Sequence, residues 1–203
     1  MAAARELFEE AGVLLARSSD GRFVSLAGAE VQPRFMQYRH EVHGGHRALR
    51  AIVEQEQLRL ALDALVAFAH WVTPPVDTRR FDTRFFVSRV PPEQTPAHEP
   101  AESTDSTWTT ASAALAAATS GEIVLPPPTW ATLRELEPFT AVSDVLAWAR
   151  QRKVIRREPK LVEDADTRML VLPGDPLNPE YEQVTFETRF RWVDDRWRAE
   201  RPV

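Results

Sequence analysis

The stretch Arg5-Glu6-Leu7-Phe8-Glu9-Glu10-Ala11-Gly12-Val13 carries more information about fold and chemistry than any other part of this chain. It predicts a helix over residues 2–11 that ends at Gly12, the residue type favoured just beyond a helix C-terminus. At about 100° per residue, Glu6, Glu9 and Glu10 share one face of that helix. The opposite face is apolar and consists of Ala4, Leu7, Phe8 and Ala11. We therefore expect the helix to pack on a core and to present three carboxylates together.

Three neighbouring carboxylates repel one another, and the repulsion would raise their pKa values unless a cation lay among them. Hard oxygen ligands in this arrangement suit Mg²⁺ or Mn²⁺, with water completing the octahedron. The alternative is an ordinary solvated helix face on which Arg5 and Glu9 form an i,i+4 ion pair. The complete order of residues 5–13 is restrictive, with a chance occurrence on the order of 10⁻³ to 10⁻⁴ in a chain of this length. Three glutamates by themselves favour the solvated face, and the complete order is far more restrictive than they are.

Composition excludes several classes of protein. The chain has 203 residues, a net charge of −5 and no cysteine. An acidic chain argues against a general binder of nucleic acid polymers or membrane surfaces, and the lack of cysteine excludes disulfides and thiolate zinc sites. Its apolar runs fall short of the roughly 18 residues that cross a bilayer, and a signal peptide is not expected. We expect a cytoplasmic protein, and a homodimer is left open.

Hydrophobic periodicity predicts alternating helices and strands beyond the first helix. Helices are expected over residues 35–41, 46–65, 111–118, 129–136 and 142–153. Strands are expected over residues 65–72, 80–87, 168–172, 185–193 and 196–199. A long proline-rich loop covers residues 91–107, and the run Pro126-Pro127-Pro128 is expected to break the chain.

Residues 5–13 match the second half of the Nudix box, Arg-Glu-aliphatic-any-Glu-Glu-any-Gly-aliphatic, without a departure. The chain is thereby identified as resembling the Nudix hydrolases. That resemblance implies an α/β fold, an α/β/α sandwich around a mixed sheet. It also implies that Glu6, Glu9 and Glu10 bind the divalent metal, that Glu9 or Glu10 acts as a base, and that Arg5 braces the carboxylates.

Five further segments resemble one branch of the family, the acyl-CoA and coenzyme A diphosphatases similar to nucleoside diphosphate-linked moiety X motif protein 19. They are residues 58–65, 68–74, 79–86, 121–128 and 172–175. The resemblance implies hydrolysis of a diphosphate in a CoA-like substrate, giving 3′,5′-ADP and (acyl-)phosphopantetheine. Another nucleotide substrate, such as ADP-ribose or NADH, is the alternative within enzymes.

Additional site residues are proposed from their surroundings. Glu102 lies in a loop where Nudix enzymes often carry an extra metal-binding carboxylate, and Asp105 is the neighbouring alternative; both also fit a solvated loop. The basic cluster Arg79, Arg80 and Arg84 suits bidentate contact with a polyanionic substrate. Its alternative role is pairing with the nearby Asp77 and Asp82.

Two other groups carry a structural and a functional interpretation. His70 and Trp71 precede a proline break, where a purine stack competes with a buried aromatic beside a satisfied histidine. The basic run at residues 150–157 favours a helix C-terminus through the macrodipole, with binding of CoA phosphates as the alternative.

The first half of the box, a Gly and a Glu, falls ahead of Arg5 and outside this sequence. We therefore expect an N-terminally truncated chain whose leading strands are missing. A catalytically silent fragment, or a binding module that pairs with another chain, then competes with the enzyme. The expected organisation is a partial Nudix domain over residues 1–128, with its box helix at 2–12 and a helical insertion at about 35–65. A C-terminal extension covers residues 129–203.

Overall fold

The structure is a computed structural model, and it describes residues 1–76, 78–97, 107–164, 167–179, 182, 184–194 and 196–202. Both helices and strands occur along these residues, as predicted for an α/β protein. The chain forms two compact units. One comprises Met1–Val66 and Ser88–Trp108, and the other comprises Ala67–Val87 and Thr109–Val203. The boundary at residues 128 and 129 inferred from the sequence stays a prediction.

The described residues of the first unit form three helices and one short pair of strands. Its elements are α1 (Ala2–Ala11), β1 (Ala16–Arg17), α2 (Val31–His43), α3 (Leu49–Gln55) and β2 (Arg59–Leu60), followed by a 3₁₀ turn at Leu62–Ala64. Strands β1 and β2 pair antiparallel, with Ala16 opposite Leu60. The short ladder thus ties the chain that follows α1 to the chain that follows α3.

Helix α1 has the bounds that its sequence predicts. Gly12 ends it in the left-handed region at a φ of 66°, where a residue without a Cβ is favoured. Ala4 and Phe8, on the predicted apolar face, are each only 1% exposed. Phe8 belongs to the core of this unit. The other buried members of that core are Leu14, Ala16, Phe35, Tyr38, Val42, Leu49, Ile52 and Val53.

The single helix predicted over residues 46–65 is wrong in its second half. The helix stops at Gln55, and Gln57 has a φ of 53° that a helix does not tolerate. The N–H of Leu58 then donates to the carbonyl of Val53 at 2.8 Å, and the chain continues as β2. Leucines at positions 58, 60 and 62 fit a period of two as well as a helical stripe, so pairing with β1 decided between them.

The second unit contains seven strands and three helices. Its first half comprises β3 (Val66–Val72), β4 (Asp82–Val87), α4 (Ala111–Ser120), α5 (Pro127–Leu136) and α6 (Val142–Gln151). Its second half comprises β5 (Arg156–Arg157), β6 (Lys160–Asp164), β7 (Thr167–Val171), β8 (Arg189–Val193) and β9 (Arg196–Glu200). Strand β3 lies between β4 and β5 and runs parallel to β5, with Trp71 opposite Arg157. Strands β6 to β9 form an antiparallel sheet in sequence order.

Most elements of the second unit agree with the sequence prediction, and the differences have local causes. The proline run was expected to break the chain, but Pro127 and Pro128 instead open helix α5, because the first helical turn needs no N–H donor there. Strands β5 and β6 were not predicted, since the basic run at 150–157 suggested a helix end. Among the described residues, no helix has the length and apolar character needed to cross a bilayer.

Candidate functional site

The three glutamates of α1 differ in exposure. Glu6 and Glu10 are exposed to solvent, whereas Glu9 is buried at 8% exposure. The helix face that carries the three glutamates is therefore exposed at Glu6 and Glu10 and buried at Glu9. Two carboxylates one turn apart remain accessible to a ligand approaching from solvent.

Arg5 is the cation that offsets the repulsion among these carboxylates. Its Nη1 donates to both carboxylate oxygens of Glu9 at 2.6 Å, and its Nη2 donates to Oε1 of Glu6 at 3.2 Å. The hydrogen bond to Glu9 outweighs the opposing effect of burial and raises the pKa of Arg5 above its ordinary value. The predicted i,i+4 pair and the predicted bracing role are thus the same contact.

A second arginine, Arg39 on helix α2, holds the end of α1. Its Nε donates to the carbonyl oxygen of Glu9 at 2.7 Å and its Nη2 donates to that of Glu10 at 2.8 Å. Arg39 is buried at 8% exposure. A cation on the last carbonyls of a helix is favoured by the unpaired acceptors and by the macrodipole. The backbone of Glu9 and Glu10 is therefore held by a side chain of another helix, and Arg39 lies 30 positions after Glu9 in the sequence.

The remaining carbonyls at this helix end are also satisfied. Those of Leu7, Phe8 and Ala11 accept hydrogen bonds from the N–H groups of Val13, Gly12 and Ala97, at 3.4, 3.0 and 3.0 Å. Each of the last five residues of α1 thus has a partner for its carbonyl, so the helix end is held rigidly. Rigid placement of carboxylates is what a metal or catalytic site requires.

Gln94 fixes the chain just beyond the helix. Its Oε1 accepts from the N–H of Leu14 at 2.9 Å, and its Nε2 donates to the carbonyls of Leu14 at 3.0 Å and Val24 at 2.9 Å. The buried amide of Gln94 both accepts from and donates to backbone groups. It thereby satisfies hydrogen bonds that a neighbouring strand would otherwise make. It therefore supports the position of α1 through the segment that follows it.

Reasoning from sequence missed both Arg39 and Gln94. For Arg39 a signal existed, because it follows Tyr38 and lies one turn after Phe35, on the apolar face of its own helix. An arginine on an apolar face indicates a buried partner. For Gln94, in a polar loop, the sequence offers no comparable signal.

The structure leaves the predicted ligand set of Glu6, Glu9, Glu10 and Glu102 untested. Among the residues it describes, no three acidic, histidine or cysteine side chains converge on one point that would hold a metal ion. Glu102 and its alternative Asp105 lie outside the described residues. The donor chemistry of the helix still fits a hard divalent cation, because Mg²⁺ is commonly held by one or two carboxylates together with water and substrate phosphates.

The proposed substrate arginines lie at and just before strand β4, and they differ in their contacts. Arg80 donates to the carbonyl of Thr73 at 3.0 Å and to Glu158 at 3.1 Å. Arg84 is more available: its side chain is 62% exposed, and its ion pair with Asp82 is 3.6 Å long. The guanidinium of Arg79 lies 4.9 Å from the centre of the Phe81 ring. Asp77, proposed as an alternative partner, lies outside the described residues.

The structural interpretation of His70 and Trp71 agrees with their surroundings. His70 Nε2 lies 2.7 Å from Oδ1 of Asp82, and the two groups form a hydrogen bond. That bond lowers the pKa of Asp82 below its ordinary value. Trp71 is only 4% exposed, as expected of a buried aromatic beside a satisfied histidine.

The basic run at 150–157 does more than stabilise a helix end. Arg152 and Arg157 both bind Glu135 of α5, so the run reaches across to another helix. Arg150 alone lies in the last turn of α6, where the macrodipole favours a cation.

A comparison with protein families identifies one match over most of the chain. The model described as the NUDT19 Nudix domain matches residues 1–136. The match includes the whole box helix and continues to the end of α5.

Comparisons with individual proteins agree with the family match. The chain is 33% identical over 186 residues to a human protein named acyl-coenzyme A diphosphatase NUDT19, covering 86% of this chain and 49% of that protein. It is 27% identical over 197 residues to the Xenopus laevis protein of the same name, covering 91% of this chain and 52% of the relative. The chain thus spans about half the length of the curated relatives it matches.

A solved structure resembles the chain as well. The crystal structure of a NUDIX hydrolase from Alicyclobacillus acidocaldarius matches with a TM-score of 0.62 at 29% identity. The match covers 71% of this chain and 63% of the other. Sequence and structure thus lead to the same family, and the α/β class predicted from the sequence is confirmed.

Proposed function

The chain belongs to the Nudix hydrolases, in the NUDT19 branch, and from this membership we propose that it hydrolyses a diphosphate bond in a nucleoside diphosphate-linked substrate with the help of a divalent metal. The relatives named acyl-coenzyme A diphosphatase support acyl-CoA or CoA as that substrate. The products would be 3′,5′-ADP and acyl-phosphopantetheine or phosphopantetheine. The unbroken order of residues 5–13, of which residues 5–11 lie in a helix whose end is fully held, is the observation that carries this proposal.

Glu6, Glu9 and Glu10 are the groups of α1 that would hold the metal, which we propose to be Mg²⁺ or Mn²⁺. Glu6 and Glu10 are exposed, and Glu9 sits against Arg5. When bound, such an ion neutralises diphosphate charge and lowers the pKa of the attacking water. Glu102 is retained as a further proposed ligand.

The chain's own residues supply the proton acceptor and its orientation. In the hydrolysis, a water oxygen bonds to phosphorus, the bond from phosphorus to the bridging oxygen breaks, and a proton of the water passes to a carboxylate. Glu9 or Glu10 is proposed as that acceptor. Arg5 orients Glu9 through its two short hydrogen bonds, and Arg39 keeps the backbone of both residues in place.

Arg79, Arg80 and Arg84 are proposed to bind the anionic substrate. An acidic chain needs local cations to hold a diphosphate, and guanidinium groups match phosphate geometry. Arg84 supports this proposal best, because it is exposed and its pairing with Asp82 is long. Arg80 would have to exchange its contact with Glu158 for a phosphate contact.

The test is an assay of the 203-residue chain with acyl-CoA and Mg²⁺, in which mass spectrometry measures 3′,5′-ADP and acyl-phosphopantetheine. We expect the wild type to form both products, chelator to abolish them, and Glu10→Gln to reduce kcat at least a hundredfold, in line with loss of a catalytic acid–base group or metal ligand. Glu54→Gln is the matched control, since Glu54 is an exposed helical glutamate paired with Arg50 away from α1.

Equal rates for the wild type and Glu10→Gln would contradict the assignment of the helix carboxylates. The same assay with ADP-ribose and NADH decides the substrate. A higher kcat/KM for either of them than for acyl-CoA would replace the CoA proposal while leaving the hydrolase proposal intact. No product from any of the three would instead support a catalytically silent chain.

A further inference from the structure

The second unit contains a cavity of about 690 Å³ that the proposed hydrolysis does not use. Pockets of about 300–1,000 Å³ are typical of small-molecule sites. Its walls come from β3, α5, α6, β5 and the turn after β7. The cavity therefore rests on several elements of one compact unit, which is how preformed sites are built.

One wall of the cavity is a fixed cluster of two arginines around one carboxylate. Arg152 donates through Nη1 and Nη2 to the two oxygens of Glu135 at 3.0 and 3.1 Å. Arg157 donates through Nη2 to Oε1 of Glu135 at 2.7 Å. All three side chains are largely buried, at 17%, 13% and 11% exposure for Arg152, Arg157 and Glu135. Glu135 accepts hydrogen bonds from only some of the N–H groups of each guanidinium. Both arginines are therefore held in place and retain further N–H groups that can donate.

The charges of the described residues that line the cavity do not balance. Glu135 offsets only one of its two arginines, and the exposed Lys153 adds a further positive charge to the lining. The exposed Glu182 adds a second negative charge to the lining, so three cations face two carboxylates and one positive charge remains in excess. A partly buried excess cation is unfavourable unless an anion accompanies it. Burial by itself would raise the pKa of Glu135, yet hydrogen bonds from the two arginines lower it, so the carboxylate remains ionised at neutral pH.

The remaining walls are aromatic and apolar. Trp71, Trp148 and Phe186 line the cavity. The guanidinium of Arg152 lies 4.3 Å from the centre of the Trp148 ring, and that of Arg157 lies 5.4 Å from that of Trp71. Such stacking fixes guanidinium planes. Within the described part of the chain, the buried Nε1 of Trp71 has no acceptor.

We propose that this cavity binds a nucleotide, with its phosphate on Arg152, Lys153 and Arg157 and its ring against Trp148 and Phe186, the two partly exposed aromatic side chains of the lining. The remaining N–H donors of Arg152, Arg157 and Lys153 are more than a ligand carboxylate, with two oxygens, can accept. They suit a phosphate, which has three terminal oxygens. Aromatic side chains in the same lining suit a planar base, which every nucleotide provides. The proposal is independent of the hydrolytic reaction, because no residue of α1 contributes to this cavity.

The probe is AMP, added to the full-length chain in the presence of chelator so that metal-dependent binding does not contribute. Ribose 5-phosphate supplies the phosphate without the base, and adenosine supplies the base without the phosphate. Calorimetry measures affinity, and indole ¹H–¹⁵N signals, assigned with Trp71→Phe and Trp148→Phe, report the location. We expect AMP to shift the signals of Trp71 and Trp148, and to bind at least about tenfold more tightly than either fragment, as the loss of charge-assisted hydrogen bonds implies.

Matched charge reversals locate the phosphate. Lys153→Glu should weaken AMP binding about tenfold or more, whereas Arg150→Glu, three residues away and outside the lining, should leave it unchanged. Arg152→Lys keeps the positive charge but removes the planar set of guanidinium donors. It therefore tests the contribution of the guanidinium to phosphate binding while Glu135 keeps a cationic partner. Unshifted Trp71 and Trp148 signals, equal affinity for Lys153→Glu and the wild type, or equal affinity for ribose 5-phosphate and AMP would each overturn the nucleotide site. Glu10→Gln should bind AMP as the wild type does, and a loss there would place the binding at α1 instead.

Discussion

At the scale of single residues, two arginines decide the geometry of the candidate site. Arg5 acts on side chains, since it holds the carboxylate of Glu9 and contacts that of Glu6. Arg39 acts on backbone, since it holds the carbonyls of Glu9 and Glu10 from α2. Glu9 is therefore held through both its side chain and its backbone, and it is buried whereas Glu6 and Glu10 are exposed.

Arg39→Met should lower the free energy of unfolding by about 2 kcal/mol, because two buried carbonyls lose charge-assisted hydrogen bonds. The midpoint of urea unfolding measures the change. Arg34→Met is the control on the same helix: Arg34 is 46% exposed and pairs with Glu56 at 3.1 Å, so its loss should cost less than about 1 kcal/mol. If the two variants were equally stable, the carbonyl contacts of Arg39 would not support α1 as described.

At the scale of elements, the end of α1 depends on a glycine. Gly12 has a φ of 66°, and a Cβ added to it would lie 3.2 Å from Nη1 of Arg39. The left-handed turn and the close approach of Arg39 thus meet at one position. The same helix end is closed by Ala97, whose N–H reaches the carbonyl of Ala11 at 3.0 Å.

Gly12→Ala should destabilise the chain by about 1–2 kcal/mol, through the positive φ and the crowding of Arg39 together. Gly21→Ala separates the two effects, because Gly21 has a φ of 83° and no atom within 4 Å of an added Cβ. It should cost about 1 kcal/mol from backbone strain alone. Thermal unfolding of both variants gives the comparison. A larger loss at Gly21 than at Gly12 would show that Arg39 moves aside at no cost.

At the scale of the whole molecule, arginine-bound carboxylates connect stability to pH. Asp175 accepts from Arg189 at 3.0 Å and Glu187 accepts from Arg134 at 2.8 Å, in the same way that Glu135 accepts from its two arginines. In each case burial alone would raise the pKa, but the hydrogen bonds and charges outweigh it, and the pKa is lowered. All three pairs belong to the second unit.

Acid should therefore destabilise the protein through these groups. A carboxyl whose pKa is lower in the folded state binds its proton more readily when unfolded, so its stabilisation is complete above the unfolded pKa and is lost as the pH falls through the folded pKa. The ordinary pKa is 4.5 for a glutamate such as Glu135 or Glu187 and 3.8 for an aspartate such as Asp175, so the stability should be lost below about pH 5. Urea unfolding from pH 7 to pH 3 measures it.

The matched variants for this prediction are Glu135→Gln and Glu54→Gln. The first removes one titrating group and should flatten the fall in stability by up to about 1.4 kcal/mol per pH unit within the window. The second changes an exposed glutamate and should leave the slope unchanged. An identical slope in the wild type and Glu135→Gln would exclude this carboxyl as a source of acid sensitivity.

The sequence by itself determined what depends on neighbours along the chain. The bounds of α1, its termination at Gly12 and the position of β3 follow from periodicity and glycine chemistry within a few residues. The restrictive order of residues 5–13 likewise led to the family, because each of those side chains acts within the same three helical turns.

Only the tertiary structure decided what depends on segments distant in sequence. It placed Arg39 on the carbonyls of Glu9 and Glu10, set Glu135 between Arg152 and Arg157, and turned residues 59–60 from a predicted helix into a strand. An arginine has the same local pattern whether it faces water or a buried acceptor. Which one it meets is settled by packing between elements, and that information is not periodic along the chain.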